Sequence, residues 1–369
     1  MLHRTSLALV AFAAALFMSS PSPAQDAPQR TFALDAVELI SGGKEVQGDA
    51  GYSSTRGAYT YQFATPANKA EFEKTPAKYE IQLGGACARM GPLSGEGRCD
   101  IYAVHAGKLY LFASQQCRDG FLKAPEKLLE TDDAAVTADA ATQQRGRELL
   151  DLATTAHGGA AAIDAVRTYR QRIEAQTEYQ GKPVCTDQVY LIAFPDCARE
   201  ESYWGEQMWA HSAAGSLGGF WTEKGFDRPM ADTQVRSVRR QLNHHLLTIL
   251  KARRRPDFVA ARVGEAAIHG IKVERVAVSF DGTTCTLGID PATGRVQTLA
   301  YRGRGGERNT LGTVEKTFGD WQTLQGVLLP TSWTSTFDGQ PAGDKPTRLS
   351  KVEVNAELGD TRFVARAGQ

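Results

Sequence analysis

The feature that most limits how this chain can fold is a succession of short alternating runs in its second half. Residues 273–280, 284–289, 296–301, 314–318, 327–337 and 349–354 place apolar side chains at about every second position, as half-buried strands do. Asp281-Gly282, Pro291-Ala292-Thr293-Gly294 and Asp338-Gly339 stand between them as turns. Such short links leave no room for crossover helices, so the pattern predicts an antiparallel sheet and not alternating βα units. Residues 184–194 read as one more strand. A helix is predicted over 234–251, with Leu242, Leu246, Leu247 and Leu250 on one side. Another covers 149–166, with Gly158-Gly159 as a break.

The chain opens differently. His3 and Arg4 precede an uncharged apolar run of 12 residues, 7–18, and Ser22-Pro23-Ala24 follows as a small-residue cleavage signal. This predicts a secretory signal peptide over 1–24, a mature chain from Gln25 and a periplasmic protein. No cysteine precedes Cys87, so a lipid-modified N-terminal cysteine is not expected, and no other stretch is apolar enough to span a bilayer. Lys+Arg and Asp+Glu are 42 each, a balance that argues against nucleic acid as the main partner. In an oxidising compartment the 6 cysteines could pair.

Residues 130–142, Glu-Thr-Asp-Asp-Ala-Ala-Val-Thr-Ala-Asp-Ala-Ala-Thr, are acidic and small and read as a linker, bounded as 131–142. All 5 tryptophans follow it, and 3 cysteines lie on each side. The part before it, 31–130, repeats itself at an offset of 49 residues: Tyr61 and Phe63 align with Tyr110 and Phe112, Thr65 with Ser114, Phe72 with Phe121 and Pro76 with Pro125. Each copy reads as a strand, an N-cap, a short helix and a proline stop.

Cys117 falls three residues after the Ser114 cap, where helix N–H groups favour a thiolate. Its spacing from Phe121 equally fits core packing or half of a disulfide. Cys87 follows Gly84-Gly85, a pair that implies close backbone approach, and Cys87 and Met90 could present two sulfur ligands to Cu(I). With Cys99 and His105 they make a candidate metal cluster of Cys87, Met90, Cys99, His105 and Cys117; one disulfide among the three cysteines is the alternative. Cys185 and Cys197 flank a turn and could close a hairpin disulfide. Cys285 reads as core. His244-His245 cannot both face one metal from one side of a helix, so packing or surface roles are expected. Residues 251–255, Lys-Ala-Arg-Arg-Arg, read as solvated cations at a helix end, or as a patch for anionic lipid. No phosphate loop, nucleophile elbow or zincin motif occurs, and no spacing singles out a triad.

The first part resembles the YHS domain family. Tyr61-Gln62-Phe63-Ala64, Phe72, Pro76, Tyr79 and 84–88 carry the likeness in one copy, and 107–114, Cys117, Phe121 and Pro125 carry it in the other. Leu34-Asp35-Ala36-Val37 with Gly42-Gly43-Lys44 looks like the start of exported members. The resemblance implies metal binding through cysteines, copper or zinc. In the usual pattern one cysteine follows the strand and a second comes three or four residues on. Here only Cys117 fills the later place; Ala64 and Ala113 occupy the earlier one, and Asn68 stands near the later one in the first copy. The second part, 143–361, looks like the outer-membrane lipoprotein carrier (LolA/LolB-like) superfamily. The likeness rests on 160–169, on 286–296 and on Phe318-Gly319-Asp320-Trp321 through 326–330. It implies a curled, incompletely closed antiparallel barrel that holds acyl chains.

The fold class expected is therefore α+β: small strand–helix repeats followed by a curled antiparallel sheet with helices. The leading functional expectation is a non-enzymatic exported protein whose first part binds a metal ion and whose second part is of apolar-ligand-binding type. The alternatives are a lipid or lipoprotein carrier of the envelope and a secreted enzyme of unknown type.

Overall fold

A computed structural model describes residues 29–223, 226–306, 309–359 and 363. The signal-peptide reading falls outside the described residues. The first part holds two hairpin-and-helix units. In one, β1 (Arg30–Phe32) pairs in parallel with β3 (Tyr59–Phe63), which also pairs with β2 (Asp49–Arg56) and leads into α1 (Pro66–Lys74) and α2 (Pro76–Tyr79). In the other, β4 (Arg98–His105) pairs with β5 (Lys108–Phe112), which leads into α3 (Gln115–Lys123). The cap residues are those the repeat predicts. Thr65 Oγ1 accepts from the Asn68 N–H at 3.1 Å, and Ser114 Oγ accepts from the Cys117 N–H at 3.2 Å. Each unit buries its own aromatic cluster: Tyr61, Phe63 and Phe72 in the first, Tyr110, Phe112 and Phe121 in the second.

The second part begins with α4 (Ala140–Ala156) and α5 (Gly159–Ala165), broken where the two glycines predict. Gly158 has φ +113°, and a Cβ there would lie 2.0 Å from the Gly326 carbonyl oxygen, so the break needs glycine. Two antiparallel sheets follow. The first contains β6 (Thr168–Ile173), β9 (Gln188–Ala193), β10 (Cys197–Trp204), β11 (Gln207–Ala214), β12 (Gly219–Glu223) and β13 (Phe226–Pro229), with the hairpin β7 (Gln176–Tyr179) and β8 (Lys182–Cys185) set apart from it. The second runs in chain order through β14 (Val259–Ile268), β15 (Ile271–Phe280), β16 (Thr283–Ile289), β17 (Val296–Gly305), β18 (Thr310–Leu324) and β19 (Val327–Phe337), with short β20 (Gln340–Pro341) and β21 (Thr347–Arg348) on β19. After it the chain crosses back, and β22 (Lys351–Val354) pairs with β6, so the sheets are tied at one margin and neither closes into a barrel. The predicted strand over 184–194 is two strands, β8 and β9. The runs β10 to β14 went unread, because Glu200, Glu201 and Ser202 blur the alternation of β10 and small residues blur that of β11.

Between the sheets lie α6 (Asp232–Asn243) and α7 (Leu246–Ala252). One predicted helix is therefore two. His245 takes an extended backbone, φ −90° and ψ 129°, and starts α7. Val238, Leu242, Leu246, Leu247 and Leu250 bury against Ile192 and Trp221 of the first sheet and Val278 and Leu287 of the second. Of the cations at the end of α7, Arg254 and Arg255 are exposed, as expected, but Lys251 and Arg253 are not left to solvent. Lys251 Nζ donates to the carbonyls of Ile163, Asp164 and Val166 at 2.9 to 3.1 Å, tying α7 to the end of α5, and Arg253 pairs with Asp164 at 2.9 Å.

The segment read as a linker is strapped down. The Asp133 N–H donates to the Gly282 carbonyl, its carboxylate accepts from the Thr284 N–H at 2.9 Å, and the Val136 N–H donates to Ser279 Oγ. Helix α4 starts inside the span read as a linker, at Ala140 and nine residues before the predicted helix, with Asp139 as the cap. Among the described residues no helix is long and apolar enough to cross a membrane.

Candidate functional site

Neighbouring strands of the first sheet place Gln171 opposite Tyr190 and Tyr190 opposite Glu200, which makes one cross-strand row. In the second sheet Tyr301 and Trp333 lie diagonally on either side of Lys316, because Tyr301 faces Val314 and Trp333 faces Phe318. Both rows face a cavity of about 470 Å³ between the sheets. The break between α6 and α7 sits in its wall. His244 stacks on Tyr301 with centroids 4.0 Å apart, while His245 packs on Tyr169 at 4.5 Å and Tyr190 at 6.4 Å. Adjacent imidazoles thus serve opposite sheets, which an unbroken helix could not arrange. A smaller recess continues inward among Leu246, Leu299, Phe318, Leu329 and Trp333.

Burial controls the chemistry of this lining. It holds His244 and His245 down to about 3, so both are neutral near pH 7. It raises the Tyr190 phenol and lifts Glu200 above the usual carboxylate range; a bond to Gln241 and the charge of Lys316 oppose the latter shift. Tyr190 Oη, His244 Nε2 and His245 Nδ1 are buried and have no hydrogen-bond partner. Lys316 Nζ lies 4.9 Å from the Trp333 ring centre and 5.7 Å from that of Tyr301. The lining thus sets the aromatic faces of Tyr190, Tyr301 and Trp333 beside many polar side chains, among them Gln171, Gln188, Glu200, Gln241 and Lys316, so the space is amphiphilic and unlike a packed apolar core.

The first part covers the mouth. Met90, Gly91, Pro92 and Leu93 line the cavity, and Leu93 packs on the core of the second part. Gln234 Nε2 donates to the Pro92 carbonyl and Asn309 Nδ2 to that of Met90, each at 3.0 Å. Arg304 Nε bonds Glu130 Oε1 at 3.0 Å, and Ser237 Oγ donates to the other oxygen of that carboxylate at 2.7 Å. The close approach implied by Gly84-Gly85 is real. A Cβ on Gly84 would lie 2.1 Å from Gln234 Oε1, and one on Gly85 would lie 1.8 Å from Tyr59 Oη.

The five proposed metal ligands do not gather. Among the described residues no group of three or more His, Cys, Asp or Glu side chains is placed to hold a metal ion. Met90 is turned toward the cavity of the second part, Cys99 packs on the first aromatic cluster, and His105 lies edge-on to Phe121 at 5.8 Å. Only Cys87 and Cys117 share a cluster and interact electrostatically; burial raises the Cys87 thiol. That donor pair suits at most a two-coordinate soft ion, not a three- or four-ligand site. Asn68, near the later thiol place of the first copy, is an anchor: its Nδ2 donates to Asp35 at 2.8 Å and Glu38 at 3.1 Å.

All six cysteines are free. The hairpin bridge fails on geometry. Cys185 accepts from Gly205 N–H at the far end of β10, while Cys197 begins that strand. The extended segment between them spans roughly 25 Å, far beyond disulfide reach. Cys285 is core, as expected.

The sequence reading missed Tyr190, Glu200, Gln241, Lys316 and Trp333 as cavity residues. One signal was available: Lys316 sits between Val314 and Phe318 on one face of a strand, a charge where the alternation calls for an apolar side chain.

No family model matches the chain, so the likeness of the first part to YHS domains finds no support there, and no curated protein matches it. Among solved structures the chain is similar to a DUF1329 family protein from Desulfovibrio piger. The two share 10% identity with a TM-score of 0.39, over 59% of this chain and 96% of that one. It is also similar to a LolA superfamily protein from Nitrosomonas europaea, at 10% identity and a TM-score of 0.33, over 60% of this chain and 97% of that one.

Proposed function

We propose that this chain is an exported, periplasmic binding protein of carrier type, which holds one amphiphilic, lipid-like small molecule between its two sheets. The observation that carries this reading is the cavity of about 470 Å³ lined by Tyr190, Tyr301 and Trp333 together with polar side chains such as Gln171, Gln241 and Lys316. Its volume is within the range of about 300–1,000 Å³ usual for ligand pockets. The Met90 to Leu93 loop over the mouth shields a bound apolar body from water, as a carrier requires. Native mass spectrometry of the protein, purified without detergent, tests the reading. The expected result is a bound molecule of low mass that is lost on denaturation, or uptake of a single-chain amphiphile at one per protein. The absence of both adduct and uptake would overturn it.

A second reading concerns the first part. The proximity of Cys87 and Cys117 favours a two-thiol site for Cu(I). Competition with a Cu(I) chelator tests it: uptake of one ion, lost in Cys87→Ser and Cys117→Ser, is expected, and no uptake by the reduced protein refutes it.

A further inference from the structure

The lining of the cavity is unevenly neutralised. Of the four cations that line it among the described residues, Arg240 already pairs with Asp133 at 2.8 Å and Arg304 with Glu130 at 3.0 Å, while Arg302 bonds Thr131 on an exposed edge. Lys316 is different. It is half-buried, borders both the main cavity and the inner recess, and rests on the faces of Trp333 and Tyr301, with no carboxylate at ion-pair distance among the described residues. A half-buried ammonium resting on aromatic faces gains strongly from an anion. Three residues of the same lining each hold a buried polar atom with nothing to bond: Tyr190 Oη, His244 Nε2 and His245 Nδ1, which lie just behind the cavity surface. The phenol donates a hydrogen bond, and each neutral imidazole can place its proton on the free nitrogen and donate as well. A lone cation surrounded by unused neutral donors is a receptor for an acidic group.

Resting on the carrier reading above, we propose that the occupant carries a single anionic headgroup of carboxylate type, held by the Lys316 ammonium with Tyr190, His244 and His245 as neutral donors. Its apolar part lies against Trp333 and Tyr301 and enters the recess formed by Leu299, Phe318 and Leu329. Glu200 stands in the same lining, bonded to Gln241, and its burial disfavours the charged form that would otherwise claim the ammonium. The selectivity that follows is for acidic over neutral amphiphiles of one chain length, and for amphiphilic over small water-soluble anions.

Calorimetric titration of the full protein with dodecanoate, dodecanol and acetate tests this, with Lys316→Gln and Lys316→Arg as variants. The expected result is dodecanoate binding at least about tenfold tighter than dodecanol, the worth of one charge-assisted hydrogen bond. Lys316→Gln removes that difference, Lys316→Arg keeps most of it, and acetate does not bind measurably. Equal affinity of the wild-type protein for dodecanoate and dodecanol overturns the headgroup assignment and leaves the cavity reading standing. Acetate binding as tightly as dodecanoate overturns it too, since the apolar body would then contribute nothing. Failure of both chains to bind overturns the cavity reading with it. The wild-type comparison needs no variant, so a poorly folded Lys316→Gln protein cannot rescue the proposal.

Discussion

Replacing Arg304 by alanine tests whether the first part is clamped over the cavity. Arg304 bonds Glu130 at 3.0 Å and the Asn309 carbonyl at 3.2 Å, and it also reaches the Leu128 carbonyl. Its side chain and that of Glu130 are only 15% and 20% exposed, so water replaces these bonds poorly. Removing one partner of a fully buried pair costs about 3–5 kcal/mol. Here Ser237 still bonds the orphaned Glu130 at 2.7 Å and both groups touch solvent. The cost then falls to about 2–3 kcal/mol, close to one or two hydrogen bonds to a charged group. For a chain of this size that is a fall in Tm of about 3–4 °C by differential scanning calorimetry. A cycle with Glu130→Gln is expected to return a coupling of about 1–2 kcal/mol. Faster amide exchange at Met90 and Leu93 should accompany it. Coupling below about 0.5 kcal/mol, with the exchange of that loop unchanged, refutes the clamp.

Three further outcomes follow from the same geometry. His211, held down to about 4, and His244 and His245, held down to about 3, are neutral when folded but titrate near 6.5 when unfolded, so the unfolded chain binds more protons below pH 6.5. Stability is full above that value and falls by about 2 kcal/mol per histidine by pH 5, opposed only in part by Glu200, whose raised value works the other way; a urea midpoint equal at pH 7.5 and pH 5 contradicts this. Gly84→Ala, at φ +59° and with its Cβ 2.1 Å from Gln234 Oε1, should destabilise by about 2 kcal/mol or more and loosen the Gln234–Pro92 bond, whereas a change within about 0.5 kcal/mol would show that the junction yields freely. Thiol titration of protein denatured without reductant should find Cys185 and Cys197 free, and Cys185→Ser with Cys197→Ser should leave the unfolding midpoint unchanged; a bridged pair would mean that the β8–β10 geometry is wrong.

What the sequence makes legible follows from how local the physics is. Caps, proline stops and turn pairs act over four or five residues. Thr65, Ser114, Gly158-Gly159 and the Asp281-Gly282 and Asp338-Gly339 turns therefore do in the structure what their spacing implies. The helix break at His244-His245 has no such signal; it is imposed by two sheets that each take one imidazole. The cavity is less legible still. Tyr190 and Glu200 meet across strands, and Lys316 approaches them only because the sheets fold toward one another. The cysteines misled for the same reason. Their separation along the chain gave no hint that Cys99 packs in one cluster while Cys87 and Cys117 pack in another. Lys251 reads as solvated from the sequence because its acceptors, carbonyls at the end of α5, lie about 85 residues earlier in the chain.

Fluorescence quenching by a brominated single-chain amphiphile tests most directly whether the space between the sheets is the binding site. Trp333 is the one tryptophan that lines the cavity among the described residues; Trp204, Trp209, Trp221 and Trp321 lie elsewhere. Saturable quenching at one amphiphile per protein is expected, lost in Trp333→Phe while calorimetry still finds one unbrominated molecule bound per protein. Quenching that never saturates, or that persists undiminished in Trp333→Phe, would contradict it.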